Sequence, residues 1–372
     1  MTVTEYVIAE YTPLVLTELL SRRPEWKNLF VESVQASPVG TGQMAQSYRL
    51  VLHYGKRPED APDTLIAKVS STDAASRQMA VATGAYQREV LFYERLRELT
   101  DIRSPQCFHG EVADDLCGFV LLLEDMGPAQ TVEQIGGCNP DQADLALAQA
   151  AALHGGSWRH SKLTEQKWLP VEHVWGALAG ALPQVIGRWL ERFGAYLQPD
   201  HITAVHQLGR EVKTSLSTLS DHRTIWHGDF RLDNMLFDAQ SGQIPIAVVD
   251  WQSTAVALGV IDVAYFLGNS LTEKDRLAYE QALVAEYHQR VLSYGVEGYS
   301  AEQCWREYQA HALYGLVLTI PVSLGVQATK RGDAMFAAMA LPCGGSDPRQ
   351  RQLCSVSVAR SITALGRVST PL

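Results

Sequence analysis

Cysteine is scarce in this chain: six residues in 372, and no CxxC pair among Cys107, Cys117, Cys138, Cys304, Cys343 and Cys354. That is too sparse for a disulfide scaffold, and zinc-ligand spacing is absent, so reduced thiols in a cytoplasmic protein are expected. Long apolar runs are missing as well. A bilayer span needs about 18–20 such residues, and the best stretch, 313–324, is too short. The N-terminus carries Glu5 and Glu10 where a secretory leader needs basic residues and an unbroken apolar run. Basic charge is outnumbered: 31 Lys and Arg against 41 Asp and Glu give a net charge of −10. A coat for nucleic acid or for an anionic membrane is therefore not expected. No repeat, low-complexity tract or G-x-x-x-x-G-K-[ST] loop is found, which disfavours a P-loop fold. What is abundant is hydrophobic residue, 46%, beside 19% charged. That composition excludes global disorder, and the length suits about two domains.

The first third reads as strands and the rest mainly as helices. After a helical stretch over 5–21 ended by Pro24, Leu29–Val34 and Ser47–Tyr54 read as strands around a turn at Ser37–Gly42. In the second of these, Tyr48, Leu50, Leu52 and Tyr54 recur with a period of two. Thr64–Val69 and Gly118–Leu123 are further strands, and Ala85–Leu99 is one long helix. From Thr131 on, helices are expected at Asp141–Leu153, Trp175–Tyr196, His201–Leu219, Glu273–Tyr294, Ala301–Leu324 and near Met335–Leu341. Three short apolar pieces, Thr224–Trp226, Met235–Phe237 and Ile246–Val249, interrupt them in a turn-rich region. The junction falls near Glu124–Gly127, which divides the chain into a small lobe, 1–125, and a large one, 126–372.

The chemistry is concentrated in His227-Gly228-Asp229-Phe230-Arg231-Leu232-Asp233-Asn234, followed by Val248-Val249-Asp250-Trp251-Gln252. Asp229 can accept a proton from a hydroxyl, Asn234 can offer a neutral oxygen to Mg²⁺, and Asp250, closing an apolar strand, can bind the same metal beside phosphates. This is the kinase layout H-x-D-x-x-x-x-N followed by a strand ending in Asp. Any one of these residues alone would read as an ordinary turn residue; their joint spacing favours catalysis.

The small lobe supplies a second set. Gly40, Thr41 and Gly42 open a G-x-G-x-x-A stretch that also fits a dinucleotide-binding fingerprint. That fingerprint must open a helix, whereas Ser47–Tyr54 alternates as a strand, so a phosphate-covering hairpin fits better. Lys68 sits within the apolar Leu65–Val69, where an ammonium group needs an anion unless it snorkels to the strand edge. Glu89 is the expected partner, with Glu94 competing.

With these motifs the chain resembles the aminoglycoside phosphotransferase and choline kinase-like superfamily. Leu122–Met126 resembles its lobe-connecting segment, Ala151–Trp158 its L-H-x-x-x-W helix end, and Gly259–Tyr265 its G-x-x-D-x-A segment. Asp250-Trp251-Gln252 resembles the ecdysteroid kinase-like subgroup, and 227–234 resembles bacterial homologues and kinase domains associated with acyl-CoA dehydrogenases. Gly228 stands where a protein kinase has Arg, Trp251-Gln252 where it has Phe-Gly, and no A-P-E segment follows. These departures argue against a protein kinase.

The resemblance implies an α+β, bilobal protein-kinase-like fold with a small β-rich lobe carrying one long helix and a large helical lobe. It implies transfer of the γ-phosphoryl group of ATP, with GTP also open, and Mg²⁺, to a hydroxyl of a small molecule. Backbone groups at Glu124 and Met126 would hold the base, Asp262 would brace the catalytic loop, and His154 would be a packing residue. His227 reads as loop support or, less well placed than Asp229, as the base. Arg231 reads as a contact to acceptor or phosphate, or as an ion pair with Asp233. Trp158, Trp175, Trp189, Trp226, Trp305 and Tyr314 read mostly as core of the helical lobe, with one or two open to line an acceptor pocket. A nucleotide-binding pseudokinase is the competing function.

Overall fold

A computed structural model describes residues 8–40, 44–170, 174–197, 199, 202–203, 205–206, 222–312, 314–325, 332–333 and 336; of 174–179 it describes the backbone alone. Thr41 and Gly42, residues 171–173 and most of the expected helix at 201–219 lie outside these residues, as does nearly all of the segment near 335–341. The chain forms two compact units: Met1–Glu98 with Arg103–Ala129 and Asp238–Thr254, and Leu99–Ile102 with Gln130–Phe237 and Ala255–Leu372.

In the first unit, helix α1 (Pro13–Leu20) starts on Thr12, whose hydroxyl accepts the Val15 N–H. Five antiparallel strands follow: β1 (Phe30–Val39), β2 (Ala45–Lys56), β3 (Thr64–Ser70), β4 (Cys107–Val112) and β5 (Phe119–Glu124), in the order β1-β2-β3-β5-β4. The period of two decides what each face does. Leu65, Ala67 and Val69 of β3 are fully buried and join Leu50, Leu52, Val120 and Leu122 in one core with Leu16 and Leu20 of α1. Lys68, between them, points to the opposite face and reaches Glu89 of α3 (Ala85–Leu91), which together with α2 (Ala74–Thr83) falls between β3 and β4 in sequence.

The expected long helix over 85–99 is divided. Regular helix ends at Leu91, a π turn covers Phe92–Leu96 and a 3₁₀ turn Arg97–Leu99. The wide turn begins at Phe92, whose ring stacks on Trp251 at 3.6 Å between centroids and 4° between planes. In the same unit, β8 (Ile244–Val248), which follows β6 (Thr224–Trp226) and β7 (Met235–Asp238) in the chain, leads into Asp250. Its Val248 N–H bonds the Arg103 carbonyl at 2.8 Å.

The second unit is helical apart from short strands. Its elements are α4 (Pro140–Gly156), α5 (Ser161–Glu165), α6 (Val174–Phe193), β6 (Thr224–Trp226), β7 (Met235–Asp238), β9 (Ala255–Ala257), α7 (Val260–Ser270), α8 (Glu273–Ser293), α9 (Ala301–His311) and α10 (Tyr314–Leu324). Strands β6 and β9 pair antiparallel. The helix expected over 301–324 is two helices. Helix α4 opens with a capping box: the Asn139 side chain accepts the Gln142 N–H, and the Gln142 side chain returns the bond. Trp189, Trp226 and Tyr314 are buried as expected. Among the described residues no helix is long and apolar enough to cross a membrane.

Candidate active site

Two clusters form, one in each unit. In the first, Lys68 Nζ donates to Glu89 Oε1 at 2.7 Å and to Asp250 Oδ1 at 3.1 Å. Glu89 is buried on α3, whereas Glu94 is exposed and takes no part in the pair. Asp250 has φ of 69°, a left-handed conformation that Asp tolerates better than most residues. Such strain marks positions where orientation matters, and here it accompanies a carboxylate on Lys68. Burial alone would lower the Lys68 pKa; the charges of Asp250 and Glu89 reverse that and raise it. Burial, aided by the Asp250 charge, pushes Glu89 up to about 6, against the pull of Lys68.

One ammonium against two carboxylates leaves a negative charge in excess, which suits a divalent cation. Among the described residues no cluster of three or more His, Cys, Asp or Glu side chains forms a metal cage. Mg²⁺ seldom needs one, because phosphates and water complete its shell.

Glu89 keeps its proton to higher pH in the folded state than in the unfolded chain. Its native pKa lies above the ordinary 4.5, so the folded state holds an extra proton between about 4.5 and 6. The stability Glu89 contributes is therefore present at low pH and lost as pH rises through about 6. Its charge on Lys68 follows the opposite course. Glu89→Gln should leave the melting temperature at pH 7.5 near or above that of the wild type and weaken nucleotide binding. Wild-type nucleotide affinity should fall as pH drops through about 6, and that fall should be absent in Glu89→Gln. Melting curves and nucleotide titrations across pH 5–8 check both; a strongly destabilised Glu89→Gln would contradict the sign.

The segment that the sequence identifies as lobe-connecting is tightly bonded. Glu124 accepts two bonds from the Arg103 guanidinium, at 2.8 and 2.9 Å, and one each from Gln240 Nε2 and the Gln106 N–H. The Met126 carbonyl accepts the Gln240 N–H at 3.0 Å. The Glu124 side chain is thus committed to structure.

In the second cluster the loop 227–234 is held at both ends. Asp262, buried on α7, accepts the His227 N–H at 2.8 Å and the Gly228 N–H at 3.1 Å. Gly228 has φ of 83°, which a side chain would strain. Glycine here lets the chain turn between His227 and Asp229. The Gln134 side chain, absent from the sequence reading, accepts the Leu232 N–H at 3.0 Å and donates to the Asn269 carbonyl at 2.8 Å. His227 Nδ1 accepts the Asp229 N–H at 3.2 Å, so its ring shapes the loop. His154, which the sequence marks as packing, bonds Asp262 at 3.3 Å and the Tyr287 hydroxyl at 2.9 Å.

Asn234 Nδ2 donates to the Asp229 carbonyl at 2.8 Å and to Asp229 Oδ2 at 2.9 Å. Two acceptors facing the same atom fix the amide orientation. The nitrogen is spent on Asp229, which leaves the amide oxygen as the group Asn234 could offer a cation. The Arg231 guanidinium bonds both Asp229, at 2.9 Å, and Asp233. Burial would raise the Asp229 pKa, but Arg231, His227 and Asn234 outweigh it and lower it, so the carboxylate is ionised at neutral pH. Tyr265, likewise unflagged by the motif, donates its hydroxyl to Asp229 Oδ1 at 3.1 Å. No local pattern marks Gln134 or Tyr265, because both reach the loop from elsewhere in the chain.

Wild-type aminoglycoside 2'-phosphotransferase-IIIa in its GDP complex aligns with a TM-score of 0.50 at 12% identity, covering 94% of this chain and 98% of that one. The gentamicin–APH(2'')-IIa complex aligns with a TM-score of 0.50 at 13% identity, covering 91% and 99%. At such identities the fold alone is shared: a mixed α/β kinase-like fold with a five-stranded first unit. Acyl-CoA dehydrogenase family member 11 of Homo sapiens is 30% identical over 92 residues, 25% of this chain and 12% of that protein. The same-named protein of Gallus gallus is 24% identical over 135 residues, 36% of this chain and 16% of that protein. This chain thus matches a small fraction of the length of those relatives. Residues 40–294, which include Lys68, Glu89, the loop 227–234, Asp250 and α7, match a single family over more than half of the chain: this protein belongs to the ecdysteroid kinase-like family.

Proposed function

We propose that this chain is a phosphotransferase that moves the γ-phosphoryl group of ATP, with Mg²⁺, to a hydroxyl of a small molecule. The observation that carries the reading is the loop 227–234. Asp229 is kept ionised beside an Asn234 amide of fixed orientation, on a backbone anchored by Asp262. Kinase-like membership supports phosphoryl transfer in general; the nucleotide, metal and acceptor are the finer part of the proposal.

In this reading Asp229 takes the proton of the acceptor hydroxyl as the acceptor oxygen bonds to the γ-phosphorus and the bond from that phosphorus to the bridging oxygen breaks, leaving ADP. Asn234 and Asp250 would hold Mg²⁺, which when bound would neutralise phosphate charge. Lys68, braced by Glu89, holds the α and β phosphates, and Gly40–Gly42 cover them. Backbone groups at Glu124 and Met126 receive the base; GTP is an alternative donor to be compared with ATP. Arg231, now on Asp229 and Asp233, can turn toward an acceptor or the γ-phosphate. A soluble, cytoplasmic setting belongs to the same proposal.

Two tests follow. Nucleotide consumption is measured over sugars, aminoglycosides, choline-like alcohols, sterols and hydroxy acids, with ATP and GTP in parallel. Turnover of none, with phosphorylation of a protein instead, overturns the reading; binding of nucleotide without any turnover returns the pseudokinase. Asp250→Asn should weaken Mg²⁺-dependent ATP binding along with turnover, and full activity with unchanged affinity would remove Asp250 from the metal.

A further inference from the structure

We propose that Tyr265 is a positioning residue for the base: its hydroxyl, donated to Asp229 Oδ1 at 3.1 Å, sets the direction in which Asp229 presents its carboxylate to the acceptor. The inference rests on the proposed role of Asp229 and adds a residue that the loop motif does not contain.

An ionised carboxylate offers about four lone-pair positions on two oxygens. Asn234 takes one on Oδ2 at 2.9 Å, and Arg231 Nε lies 2.9 Å from Oδ1 and 3.0 Å from Oδ2. Both of those donors belong to the loop itself and move with it. Tyr265 comes from outside, on α7, three residues after Asp262. Residues at that spacing share a helix face. One face of one helix therefore holds the loop backbone, through Asp262, and the reacting side chain, through Tyr265.

The rest of Tyr265 is suited to that task. It is 2% exposed, and its ring meets Tyr314 edge-on at 5.7 Å and 83°. Burial and the neighbouring Asp229 charge raise its phenol well above the ordinary range, so at neutral pH it can only donate to that carboxylate. A fixed donor on Oδ1 resists rotation of the carboxylate about its Cβ–Cγ bond. Without it, the base samples orientations that miss the hydroxyl.

The test uses the full-length protein and two readouts. The first needs no activity: tyrosine Cζ is labelled with ¹³C, and the Tyr265 resonance is assigned by its loss in Tyr265→Phe. Asp229→Ala should shift that resonance; an unchanged resonance overturns the proposal. The second is a double-mutant cycle, read with an acceptor found in the screen. Tyr265→Phe should lower kcat by about 10–100-fold with KM for ATP within about twofold of the wild type. In an Asp229→Asn background the same change should cost less than about twofold, because there is no carboxylate left to orient. Equal losses in both backgrounds would mean that Tyr265 only packs, and would overturn the proposal. A wild-type protein that turns over no acceptor defeats the proposed function instead, and the resonance then decides by itself whether Tyr265 holds Asp229.

Discussion

Asp229→Asn should lower kcat by about 10²–10⁴-fold, the usual reach of general acid–base catalysis, while ATP affinity stays near that of the wild type. The substitution keeps the shape and removes the charge. Asn234 Nδ2 retains the Asp229 backbone carbonyl, at 2.8 Å, as an acceptor, so its amide keeps its orientation. Asp250 and Lys68 are untouched in the other unit. The loss therefore falls on the step in which the hydroxyl gives up its proton, and it should appear equally in kcat and kcat/KM. Stability gives a second, opposite reading. The native Asp229 pKa is lowered, so its ionised form contributes stability above the ordinary 3.8 that is lost as pH falls through the native value. Asp229→Asn should thus lower the melting temperature modestly at pH 7 and show less of that loss at acid pH. Near wild-type kcat on a true acceptor would remove Asp229 as the base.

The motif residues and the fold were legible in the sequence to different degrees. Strands β2 and β3 were readable because alternation of Leu50 and Leu52, and of Leu65, Ala67 and Val69, marks one buried face. Strand β4 was missed: Cys107-Phe108-His109-Gly110-Glu111-Val112 has no clean alternation, being an edge strand with every residue partly or fully exposed. Helix α2 was missed because it buries only Ala80 and so carries no apolar stripe. Helix α7 was missed for the opposite reason; nearly all of Val260–Ser270 is buried, and a helix buried all round has no face to read. Phe92, where the break begins, stacks on Trp251 far along the chain, and no local pattern announces that contact. The choice between Glu89 and Glu94 was likewise open until burial separated them. Gln134 and Tyr265 show the limit most clearly. Each matters through one bond to a loop about 100 and 36 residues away respectively, and spacing on a single strand of sequence does not encode such a bond.

Asp262→Ala should lower the melting temperature and kcat together, unlike Asp229→Asn, where the kinetic loss dominates. Asp262 is 1% exposed and is the acceptor for two backbone N–H groups of the catalytic loop and for the His154 ring. Truncation leaves those buried donors without a partner, at about 1–3 kcal/mol each, a large share of the roughly 5–15 kcal/mol that holds a typical protein folded. It also frees His227 and Gly228, so Asp229 no longer starts from a fixed backbone, and a displacement near 1 Å can cost about 10²-fold in rate. Gly259→Ala approaches the same brace from its other side. A Cβ there would lie 2.4 Å from His154 Cγ and 2.7 Å from Nδ1. The ring cannot give way easily, being bonded to Tyr287 at 2.9 Å and to Asp262 at 3.3 Å with no exposure to solvent. Overpacking of this kind costs about 1–3 kcal/mol, and relief requires His154 to leave Asp262. Gly259→Ala should therefore show a smaller version of the Asp262→Ala phenotype, with both melting temperature and kcat reduced. Melting curves and single-turnover rates for the two variants check this, and an Asp262→Ala protein that melts with the wild type would mean that the loop is held by something other than α7.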